Sequence, residues 1–112
     1  MQTTSLTLLV DQHLQAAKDA ASGRSSHTIF GGHEHSLRQT LIALAAGQQL
    51  SEHESPGDAT LQVLRGKVAL IRDDATTEGT AGDLLVIPDS RHRLDAIDDS
   101  VVLLTVAMSL TQ

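Results

Sequence analysis

At 112 residues the chain has room for one domain with a thin core, and a second copy is the common remedy for so little buried surface, so a homodimer is expected. Apolar residues are 40% of it but Phe30 is its single aromatic, which leaves Leu, Val, Ile and Ala for the interior and excludes stacking of bases or sugars on aromatic platforms. A formal net charge of -6 argues against nucleic acid and anionic membrane as partners, and the lack of cysteine excludes disulfides, thiol nucleophiles and Cys-held zinc.

Residues 1–10 have no basic n-region, and no run approaches the ~20 apolar residues of a membrane span, so a soluble, cytoplasmic protein is expected. Residues 5–22 read as the one helix. Leu6, Val10, Leu14, Ala17 and Ala21 recur at helical steps on one face, Ser5 can cap the start, and Gly23 stands where a terminator belongs. Residues 1–24 are thus expected to form a helical unit packed on the rest of the domain or on a dimer mate, with residues 25–112 as the body.

From residue 26 the pattern turns to short strands punctuated by turns. "SHTIF" leads into a hairpin-type turn at Gly31-Gly32, "LRQTLIALA" stops before Gly47, and "TLQVLRGKVALIR" is two strands folded at Gly66. Asp73-Asp74 and the segment from Gly79 to Gly82 supply further turns. "LLVIP" and "VVLLTVAM" are continuous apolar runs, the pattern of strands covered on both faces, with "RHRLDAI" between them. Seven or eight short strands with regular turns predict a sandwich or small barrel.

Gly47, five residues, His53 and then Gly66 follow the spacing of one glycine-bounded motif; Gly82, five residues, Pro88 and then His92 follow a second. With "GDLLVIP" as the second motif's strand, residues 37–108 resemble the small single-domain cupins of the RmlC-like type. The resemblance implies a mostly β fold, an antiparallel double-stranded β-helix (a jelly-roll barrel), here with one N-terminal α-helix. In metal-binding cupins two His and a Glu from the first motif meet a His of the second inside the barrel. Here His53 holds the first ligand position and His92 the last, while Ser55 replaces the second His and Ala59, or Thr60 on the looser spacing, replaces the Glu, so the metal motif is degenerate. The second motif also runs Pro88-Asp89-Ser90-Arg91-His92, without a glycine after the proline.

His53 and His92 alone fall short of the three protein ligands of catalytic zinc or the facial triad of non-haem iron. In "GGHEH", strand spacing would put His33 and His35 on one face, from which either could supply a third ligand to a divalent metal such as Zn, Fe, Mn or Ni. An exposed hairpin flank is the competing reading. His13 and His27 read as surface or core-edge residues.

By alternation, Ala59, Leu61 and Val63 point inward as an apolar wall, with Thr60, Gln62 and Leu64 on the other surface. The expected pocket therefore combines that wall with His53, Ser55, Arg91 and His92, the ordinary make-up of a small-molecule site. Two imidazoles there could serve as acid and base, and Arg91 could hold a carboxylate. Three functions follow: a cupin that binds a small molecule in an apolar pocket without an essential metal, a metal-dependent oxygenase or isomerase using His53, His92 and a third histidine, or a purely structural or partner-binding dimer. Whether the chain is an enzyme stays open at this point.

Overall fold

A computed structural model describes residues 1–53 and 57–108, with Glu52 and His53 described by their backbone. One helix, α1 (Leu6–Asp19), precedes nine strands among these residues: β1 (Arg24–Phe30), β2 (Leu37–Leu44), β3 (Gln49–His53), β4 (Ala59–Arg65), β5 (Lys67–Arg72), β6 (Ala75–Thr80), β7 (Leu84–Val86), β8 (His92–Ala96) and β9 (Ser100–Ala107). No helix among them is long and apolar enough to cross a membrane.

The strands form two antiparallel sheets, ordered β1-β2-β9-β4-β7 and β3-β8-β5-β6. This is the mostly β, two-sheet architecture with one helix that the resemblance implies, a jelly roll. Alternation builds the core between the sheets. From the five-stranded sheet come Ile42, Leu44, Ala59, Leu61, Val63, Leu85, Val102 and Val106; from the four-stranded sheet, Val68, Leu70, Leu94 and Ala96. With no rings to fill space, the core is built of aliphatic side chains throughout.

α1 starts where Ser5 Oγ accepts a hydrogen bond from the Leu8 N–H at 3.2 Å. It stops at Ala20, whose backbone is extended, with Gly23 at φ +69° turning the chain into β1. The helix is thus shorter than residues 5–22, and Ala21 leaves its stripe and is exposed. Val10 and Ala17 bury against Leu41, Ala43 and Val101 on the outer face of the five-stranded sheet, with Leu6, Leu9 and Leu14 packed around them. β2 and β9 are therefore buried on both faces over part of their length, one face in each layer.

Three further expectations are corrected. The Leu84–Val86 strand is not covered on both faces: Leu84 and Val86 are 62% and 76% exposed, because β7 is an edge strand beyond the reach of α1, which packs on β1, β2 and β9. Gly79 is not a turn residue but lies in β6, where an added Cβ would stand 3.2 Å from Leu85 Cδ1 and 3.3 Å from Val63 Cγ2. Gly66 does not close a hairpin. It is the corner at which the chain leaves one sheet and enters the other, at φ +89°.

Candidate functional site

The motif histidines meet on the four-stranded sheet. In β8 every second residue is buried: His92, Leu94 and Ala96 face the core, while Arg93 and Asp95 face out. β3 pairs with β8 through Gln49 with Asp95 and Leu50 with Leu94. After a register shift, His53 is the cross-strand partner of His92. Two residues far apart in sequence thus occupy opposing positions at one end of the sheet.

His92 is a buried polar residue, 4% exposed. Its Nδ1 lies 2.9 Å from the Ser90 carbonyl oxygen, which can only accept. Nδ1 therefore carries a proton and donates to it. Ser90 Oγ beside it is buried and has no hydrogen-bond partner among the described residues.

The next position in this row is one the motifs do not mark. β5 pairs with β8 through Leu70 with Leu94 and Ile71 with Arg93, so Arg72 stands one step on, beside His92. Leu70 belongs to the core; Arg72, two residues later on the same side of the strand, is exposed at the end of β5. Across β5–β6, Leu70 pairs with Thr77 and Arg72 with Ala75. These four residues, with Val86 and Pro88 from the β7 side, line an open cavity of about 220 Å³. The signal for Arg72 was present in "KVALIR", where the alternation of Val68 and Leu70 puts Arg72 on their side of the strand.

The other sequence-derived residues divide. Ala59, Leu61 and Val63 sit on the inner face of β4, with Leu61 and Val63 2% and 0% exposed in the core. Thr60, Gln62 and Leu64 take the opposite face. Arg91 is exposed in the segment before β8, and Ser55 lies outside the described residues. His33 and His35 do not share a strand face. They lie exposed in the turn between β1 and β2, because Gly31 at φ +122° ends the strand and the His35 ring packs on Phe30 at 4.7 Å. His13 and His27 stack at 5.3 Å between α1 and β1, with His13 Nδ1 2.7 Å from Ser25 Oγ.

Among the described residues no three His, Asp or Glu gather where they could hold a metal ion. The position of the motif glutamate is Ala59, or Thr60 on the looser spacing, and neither is a carboxylate. The described residues therefore do not fit a three-ligand metal centre.

No protein-family model matches the chain, and no curated protein matches it. Solved structures do. A RmlC-like cupin protein from Desulfovibrio desulfuricans matches with a TM-score of 0.73 and 24% identity, over 96% of each chain. A conserved protein of unknown function from Streptococcus pyogenes matches at TM-score 0.71 and 28% identity, over 80% of this chain and 78% of that one. A cupin superfamily protein from Desulfitobacterium hafniense matches at TM-score 0.70 and 21% identity, over 77% and 78%.

Proposed function

We infer that this chain, which has the fold of the small RmlC-like cupins, binds a small organic molecule at the end of its barrel where His53 and His92 are cross-strand partners. One observation carries the reading: His92 is a polar side chain 4% exposed, at the end of an otherwise aliphatic core, with its ring held by the Ser90 carbonyl. A few fixed polar groups on an apolar concave surface are what small-molecule sites are made of. A ring already held in place does not have to be ordered when a ligand arrives, which lowers the cost of binding.

Native mass spectrometry of the purified protein tests this. We expect a bound organic species that His92→Ala loses or holds at least about tenfold more weakly, with a stability change of only about 1 kcal/mol. Unchanged retention in His92→Ala would overturn the reading.

A second reading is a metal-dependent oxygenase or isomerase. It is favoured by the pairing of His53 with His92 and by the backbone carbonyl on His92 Nδ1, the usual way a ligating imidazole is oriented. Elemental analysis of the same preparation separates the two: stoichiometric zinc, iron, manganese or nickel that is lost in His92→Ala supports the metal enzyme, and its absence supports the binder.

We also propose that the protein works as a homodimer in the cytoplasm. Exposed Leu84 and the open edge of β7 give a second copy a surface to cover. Light scattering at low micromolar concentration should give about twice the 11.9 kDa chain mass. A mass equal to one chain would count against it.

A further inference from the structure

We propose that the cavity between β6 and β7 is a subsite for the carboxylate of a small, partly apolar organic monoacid, with Arg72 as its cation. The proposal rests on the small-molecule reading above and names the ligand's chemical class.

The chain has eight Lys and Arg against fourteen Asp and Glu, so a basic side chain has no shortage of partners. Lys18, Arg65, Lys67 and Arg93 each pair with a carboxylate, at 3.6, 2.8, 3.4 and 3.2 Å respectively. The Arg72 guanidinium makes no hydrogen bond or ion pair among the described residues, although Asp73 and Asp74 follow it directly. Arg72 is exposed at the end of β5, on the Leu70 side of the strand and at the rim of the cavity, and the chain turns away at Asp73, which has φ +54°.

The surroundings select the ligand. Leu70, Val86 and Pro88 give the cavity an apolar side, and Thr77 adds a hydroxyl opposite Leu70. A guanidinium is a planar fork that matches a carboxylate with two parallel hydrogen bonds. One such fork neutralises one charge. A phosphate dianion would leave a charge uncompensated beside Asp73 and Asp74, in a protein of net charge -6. A volume of about 220 Å³ suits a molecule of a few carbons. His92, next to Arg72 in the row, would face the part of the ligand beyond the carboxylate.

The probes are 3-methylbutanoate and its neutral amide, of nearly equal shape, titrated into the full chain and followed by 15N and methyl NMR shifts. We expect saturable shifts at Leu70, Thr77 and Val86 with the acid. We expect the amide, or the acid with Arg72→Gln, to bind at least about tenfold more weakly. Arg24→Gln is the matched control, since Arg24 also lines a cavity and is unpaired among the described residues; it should leave the acid's affinity unchanged. Equal binding of acid and amide, or an Arg72→Gln variant as tight as the parent, overturns the carboxylate assignment and leaves the small-molecule reading intact. No shift from either probe at these residues overturns the subsite itself, while a ligand still lost in His92→Ala would sustain the parent reading.

Discussion

Gly66→Ala is expected to cost about 2–5 kcal/mol, a large share of the stability of a domain of this size. Two costs add. At φ +89° an L-residue is disfavoured by roughly 1–2 kcal/mol. An added Cβ would also run into the Asp99 carbonyl oxygen and Ser100 Oγ. That hydroxyl is not free to move: it accepts from the Lys67 N–H at 3.0 Å and donates to the Asp98 carbonyl at 2.7 Å, in a residue 1% exposed. Displacing it leaves a buried N–H without its partner, which costs about 1–3 kcal/mol. Gly47→Ala isolates the first term, since Gly47 has φ +87° but nothing within 4 Å of an added Cβ. Thermal unfolding should show a fall of about 15 °C or more for Gly66→Ala and a few degrees for Gly47→Ala. Equal shifts would mean that the corner has no steric role.

Leu41→Ala should cost about 2–5 kcal/mol and act on the helix layer first. Leu41 is 0% exposed, on the outer face of β2, in the aliphatic layer it forms with Val10, Ala17, Ala43 and Val101. Removing its side chain opens a cavity beneath α1 and leaves the inner core side chains untouched. Hydrogen exchange should then show α1 amides losing protection ahead of those in β4. A loss below about 1 kcal/mol would mean that the helix is an accessory to the barrel.

Much of this architecture was legible because the glycines and the apolar periods act locally. Ser5 and Gly23 bracket a helix in any context, and Gly47, Gly66 and Gly82 all adopt positive φ where the motif spacing put turns. The inward set of β4 followed from alternation alone. Partnership was not legible. Nothing local distinguishes Leu84 and Val86 on an edge from Val101 and Val102 in the middle of a sheet, because their burial is decided by what α1 and the neighbouring strands reach. Gly79 looks like a turn in sequence and is a close-approach residue in space. His33 and His35 had strand spacing, but Gly31 ends the strand before them. Arg72 escaped notice for the opposite reason: it sits on no motif, and its place beside His92 depends on the β5–β8 register.

The pairing of β9 has a consequence for how the molecule comes into being on the ribosome. β9 is hydrogen-bonded to β2 on one side and β4 on the other, and no other strand joins those two. Until residues 100–107 have left the exit tunnel, β2 and β4 each wait with an unsatisfied flank and their aliphatic side chains in water. Closing loops of that length places acquisition of the native state in the millisecond-to-second regime, with the nascent chain open to chaperone capture or misassociation throughout the wait.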